Sequence, residues 1–107
     1  MSILQSTSAV RITVWTPRAS GSLQGFATAE FPSGAIFHEC GVFEQAGKWW
    51  AAPASKPMIG RDGMVIKGDN GKPKYSPIVS FSDKTRRDLW SNAVIAALHM
   101  AHPELLR

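Results

Sequence analysis

The side chains best suited to chemistry are concentrated between Gly47 and Arg87. This stretch holds nine of the twelve Lys and Arg (Lys48, Lys56, Arg61, Lys67, Lys72, Lys74, Lys84, Arg86 and Arg87) against three carboxylates, Asp62, Asp69 and Asp83. Its formal charge is +6, while each flank carries −1, in a chain of net charge +4. Cations that bond phosphate oxygens, interleaved with Trp49, Trp50 and Tyr75 that can stack on bases, point to nucleic acid. The same charge also fits a solvated loop face or a dock for an acidic protein. Arg86 and Arg87 fall in the first turn of a predicted helix, where cations oppose the macrodipole; phosphate contact would account for that placement, and so would simple exposure.

Other chemistries find less support. His99 and His102 stand at i, i+3, but no acid or thiol completes a ligand set, so no metal or cofactor is expected. His38 and Cys40 alternate onto one face of a predicted strand, yet residues two apart on a strand are about 7 Å from each other and no oxyanion motif accompanies them. Gly68-Asp-Asn-Gly-Lys72 lacks the length and ending of a phosphate loop and reads as a turn. The chain is therefore read as a non-enzyme with no small-molecule substrate.

The elements that must position the cations follow from periodicity. At 107 residues and 44% hydrophobic content the chain makes one domain, 9–107, preceded by a polar, flexible end at 1–8. Val10 to Trp15 alternates as a half-buried strand that Pro17 ends, and 18–22 is a flexible loop. Leu23 to Phe31 is a second strand with Gly25, Ala27 and Ala29 on one side, and Pro32-Ser-Gly34 is a turn. Ala35 to Glu44 is a third, with Ile36, His38, Cys40 and Val42 facing one way; Gln45-Ala-Gly47 is a turn, and Lys48 to Ala52 is a fourth. Adjacent Trp49 and Trp50 must face oppositely, one in the core and one outward or at a dimer interface.

From 54 to 75, Gly and Pro punctuate a long loop or irregular hairpin with a turn at Asp69-Asn-Gly71 and no internal repeat. Ser76 to Phe81 is a last strand. Ser82 or Asp83 caps a helix whose stripe is Leu89, Trp90, Ala93, Val94, Ala97, Leu98 and Ala101, and Pro103 ends it. Short turns exclude the crossovers that parallel pairing needs, so the fold class is α+β: an antiparallel meander with one C-terminal α-helix. So thin a layer predicts a homodimer. A single cysteine, Cys40, suits a reducing compartment and is expected to be buried and inert. Neither a signal peptide nor 18 consecutive apolar residues is seen, so no membrane partner is expected and the predicted location is cytoplasmic.

The run Phe37-His-Glu-Cys-Gly-Val-Phe-Glu-Gln-Ala-Gly-Lys-Trp-Trp-Ala-Ala-Pro53, followed by Ser55-Lys56, Asp62-Gly63, Pro77, Arg86 or Arg87, and Val94, resembles the septation and sporulation regulators of the SpoVG family. The likeness covers about Ile36 to Leu98. It implies a small dimer with an antiparallel sheet and a C-terminal helix, binding DNA, and in some members RNA, through the region between the last strands and the helix. On that reading Lys56, Arg61, Lys67, Lys72, Lys74, Tyr75, Lys84, Arg86 and Arg87 form the binding surface. Ala54 is inserted relative to the family pattern, and the loop after Pro57 is longer, with added cations at Lys67, Lys72 and Lys74; both remodel that surface.

Overall fold

A computed structural model describes residues 9–106. The end at 1–8, predicted to be flexible, lies outside the described residues, as does Arg107. Strands β1 (Arg11–Ser20), β2 (Leu23–Glu30), β3 (Ile36–Gln45) and β4 (Lys48–Ala52) form one antiparallel sheet in sequence order. Among the described residues a single α-helix, α1 (Lys84–Ala101), lies across one face, followed by a 3-10 turn at Pro103–Leu106. Two short strands, β5 (Ser55–Pro57) and β6 (Tyr75–Pro77), pair with each other outside the main sheet. The architecture is the predicted α+β meander with one C-terminal helix. No helix among the described residues is long and apolar enough to cross a membrane.

Three local departures from the predicted strands have identifiable causes. Pro17 lies inside β1, opposite Gly25, rather than ending it, because β1 is an edge strand where a missing N–H is tolerated. The predicted loop at 18–22 shrinks to the pair Gly21-Ser22, with Gly21 at φ +59° and Ser20 facing Leu23. The alternation of β1 also breaks: Ile12 faces Ala29 but Val14 faces Thr28, so Thr13 is an extra residue and the phase inverts. Val14 is consequently 52% exposed, while Trp15 turns onto the buried cluster of Ala27, Val42 and Leu98.

A second irregularity inverts β3. Ala27 faces Cys40 and Ala29 faces Phe37, so the chain between Phe37 and Cys40 carries one residue too many, absorbed by Glu39 at φ +53°. Phe37, Cys40 and Val42 turn to the helix side, whereas Ile36 and His38 are exposed. His38 and Cys40 therefore do not share the face that simple alternation assigns them. Cys40 is fully buried, its Sγ 3.4 Å from the Phe37 carbonyl oxygen, and burial pushes its thiol up to about 11. Reaction with an aromatic disulfide under native conditions is expected to be far slower than in denaturant; matching rates would contradict the burial.

The helix begins where the sequence predicts. Asp83 is the N-cap, its Oδ1 accepting from the Arg86 N–H at 2.8 Å, and His102 N–H closes the other end on the Leu98 carbonyl at 2.7 Å. Trp90, Val94, Ala97 and Leu98 form the seated face. Leu89 is 65% exposed and Ala101 is exposed too, so both belong to the predicted stripe but not to the seated face. At about 100° per residue Ala97, Trp90, Val94, Leu98 and Ser91 fall on one continuous arc, and Leu89 lies about 100° from Trp90 on the opposite side of it. Ser91 is buried instead, its Oγ accepting from the Ala51 N–H at 2.8 Å, which satisfies a donor of the edge strand β4 and pins the helix to it. The last strand is shorter than the predicted 76–81: β6 ends at Pro77, and Phe81 folds back against Trp90 with ring centroids 5.5 Å apart.

Candidate functional site

Between β5 and β6 the chain forms an arm with more order than an irregular hairpin, and it contains an internal repeat that the reading of the sequence did not detect. Residues 59–66, Ile-Gly-Arg-Asp-Gly-Met-Val-Ile, and 67–74, Lys-Gly-Asp-Asn-Gly-Lys-Pro-Lys, share one hydrogen-bond pattern. In the first unit Gly60 N–H donates to the Met64 carbonyl, Gly63 N–H to the Gly60 carbonyl, and Met64 N–H to Asp62 Oδ1 at 2.9, 3.0 and 2.9 Å. In the second the equivalent bonds join Gly68 to Lys72, Gly71 to Gly68, and Lys72 to Asn70 Oδ1 at 2.8, 2.9 and 3.0 Å. Gly63 and Gly71 both take φ +78°, which favours glycine. The available signal was Gly-X-(Asp or Asn)-Gly recurring at a spacing of eight.

A ring of backbone bonds ties the units together. Met58 N–H donates to Lys74 O at 2.8 Å, Lys74 N–H to Ile66 O at 2.9 Å, and Ile66 N–H to Met58 O at 2.8 Å. The arm thus has an internal scaffold without a core of its own. Its extension is consistent with a radius of gyration of 15.3 Å, above the roughly 13 Å usual for this length.

The two units share a backbone but carry opposite side chains. Ile59, Met64, Val65 and Ile66 of the first correspond to Lys67, Lys72, Pro73 and Lys74 of the second. One lobe is apolar, with Met64 66% exposed, and the other is cationic. Lys56, Arg61, Lys67, Lys72 and Lys74 are all exposed and make no ion pair among the described residues. Tyr75, 58% exposed, stands at the base of the arm, where β6 meets Pro57.

The cations of the helix start are differently placed. Lys84 Nζ lies 2.6 Å from Asp88 Oδ2, Arg86 Nη1 lies 2.5 Å from the capping Asp83, and Arg87 Nε is 3.7 Å from Asp88 Oδ1. These carboxylates offset the unfavourable dipole, so phosphate contact is not needed to explain Arg86 and Arg87. The hydrogen bond from Lys84 and the neighbouring cations hold the Asp88 carboxyl below its usual range. Lys48, Lys84 and Arg87 also border a cleft of about 940 Å³ between β4 and α1.

The tryptophans resolve into separate roles. Trp49 faces the helix and meets His99 edge-on at 4.8 Å; burial lowers the pKa of that imidazole, and its Nε2 has no partner. Trp50 faces outward and stacks on Phe43, centroids 5.5 Å apart and planes 9° from parallel. Of the two stacking candidates, only Trp50 lies on the open face. His102 pairs with Glu104 at 3.2 Å, and no cluster of three metal-ligating side chains occurs among the described residues. No protein-family model, curated protein or solved structure matches this chain.

Proposed function

We propose that the protein binds nucleic acid through phosphate contacts made by the arm, with Lys84, Arg86 and Arg87 at the helix start as a supplementary set. The observation that carries this reading is the group of five exposed cations on the arm, none paired with an acid among the described residues, held on a hydrogen-bonded scaffold. Cations carried on an ordered backbone lose less conformational freedom on meeting a polyanion than cations on a loose loop. The resemblance to SpoVG regulators supports the same reading and brings a homodimer with it. Leu89 and Met100, both exposed on the helix, mark a surface on which such a dimer could close. Titrations of single-stranded DNA, duplex DNA and RNA at two salt concentrations test the proposal: log affinity should fall linearly with log salt, by about 0.7 to 0.9 per phosphate engaged. Negligible binding of all three at low salt would end it.

The apolar lobe favours a second reading. Ile59, Met64, Val65 and Ile66 are exposed beside the cations, a pairing suited to an acidic protein with its own apolar patch. A partner of that kind would be lost on changing Met64 to Ser, whereas phosphate binding would persist.

A further inference from the structure

The face of the main sheet turned away from α1 carries an aromatic row. Phe26 on β2 faces Gly41 on β3, which faces Ala52 on β4; one step along, Leu23 faces Phe43, which faces Trp50. Small residues thus sit between the rings. A Cβ on Gly41 would meet the Phe43 ring at 2.9 Å, so glycine is what leaves room for that ring. Phe26, Gly41, Phe43, Ala52 and Tyr75 line a hollow of about 520 Å³, within the range of small-ligand sites. Three aromatic rings, Phe26, Phe43 and Tyr75, border it, and Tyr75 belongs to the arm between Lys74 and Ser76.

From this geometry we infer that the hollow and its aromatic row take unstacked bases, making the ligand of the arm a single-stranded nucleic acid. The inference rests on the phosphate-binding role proposed for the arm and specifies its substrate class. Rings on a flat sheet read the faces of bases, and a duplex keeps those faces stacked on one another. Between 55 and 77 the arm carries five cations against two carboxylates, so a strand whose bases enter the hollow has its phosphates drawn toward Lys56, which is paired with Ser76, and Lys74, next to Tyr75. The charge also argues against a second copy as occupant, since two chains packed on this face would bring two positively charged arms together. Glu39, on the lining of the hollow, offers an acceptor to an exocyclic amino group.

The test compares a 20-nucleotide single strand of mixed sequence with its duplex by fluorescence anisotropy, for the full chain and for the variants Tyr75→Ala, Phe43→Leu and Lys72→Ala. Each aromatic variant should weaken single-strand binding about tenfold, leave duplex binding and the salt slope unchanged, and so part from Lys72→Ala, which should shallow the slope for both ligands. Photocrosslinking of a strand containing 5-iodouracil to the unaltered protein should label peptides bearing Phe26, Phe43, Trp50 or Tyr75, an outcome independent of how well any variant folds. Equal affinity losses for strand and duplex, or labelling confined to the arm beyond Tyr75, would overturn the platform while leaving the phosphate contacts standing. Conversion of a dimer to a monomer by Phe43→Leu in sedimentation, with single-strand affinity intact, would overturn it in favour of a second copy. Absence of any nucleic-acid binding would remove both proposals together.

Discussion

Replacing Lys67, Lys72 and Lys74 together by Ala is expected to reduce nucleic-acid affinity roughly fifty- to hundredfold near 0.15 M salt and to shallow the log–log salt slope by about 2 to 3. The three lie in the cationic unit of the repeat, all exposed, none with an ion pair among the described residues. Each phosphate contact releases counterions worth a factor of about four to five at that salt, and three such factors multiply if the contacts are independent. Melting temperature should hardly change, because removing an exposed, unpaired cation typically alters stability by about 0.5 kcal/mol or less. Arg86→Ala makes a useful contrast, since it frees Asp83 from its ion pair and leaves an uncompensated carboxylate beside the ligand path. A triple variant that keeps wild-type affinity and slope would show that the arm's charge is solvated rather than used. One that keeps nucleic-acid binding but loses an acidic protein partner would favour the second reading.

How far the sequence speaks depends on which interaction fixes each feature. The strands and their antiparallel meander were legible because period-2 runs alternate with turn residues, and the Ala46-Gly47 turn, with φ values of +54° and +84°, closes β3 on β4 at the register that sets Phe43 against Trp50. Facing was not legible beyond the bulges. An extra residue at Thr13 or Glu39 exchanges the two sides of a strand, and no propensity of Thr or Glu announces a bulge. The cations of the arm could be located by counting, since charged side chains in Gly-rich sequence are almost always exposed. The repeat that holds them escaped because its identity lies in the backbone: Gly, Asp or Asn, and Gly recur, whereas apolar and cationic side chains trade places around them. The aromatic hollow was out of reach for a related reason, as Phe26, Phe43 and Tyr75 come from three separate stretches and line one hollow only in the folded chain.

Gly25→Ala is expected to be among the most damaging small substitutions in the chain, lowering the melting temperature by about 5 to 20 °C. Gly to Ala within a strand would ordinarily stabilise, by restricting the unfolded chain. Here the new Cβ would stand 2.5 Å from the Thr16 carbonyl oxygen, 2.6 Å from Trp15 Cη2 and 3.0 Å from Pro17 Cα. Two of the three are backbone atoms, which a rotamer change cannot move, so β1 must shift away from β2. That displacement is costly because Trp15 is what β1 contributes to the cluster of Ala27, Val42 and Leu98, and it also stands 6.3 Å from the His102 ring. Overpacking of this kind costs about 1 to 3 kcal/mol, and in a domain of this size each kcal/mol corresponds to about 4 to 8 °C. Adding Trp15→Leu should recover little, since it relieves the ring contact but leaves the Thr16 oxygen in place and removes buried area besides. Thermal unfolding of the two variants followed by circular dichroism decides the matter: a Gly25→Ala protein as stable as the parent would mean that β1 can slide on β2, and that the bulged register at Thr13 is not fixed.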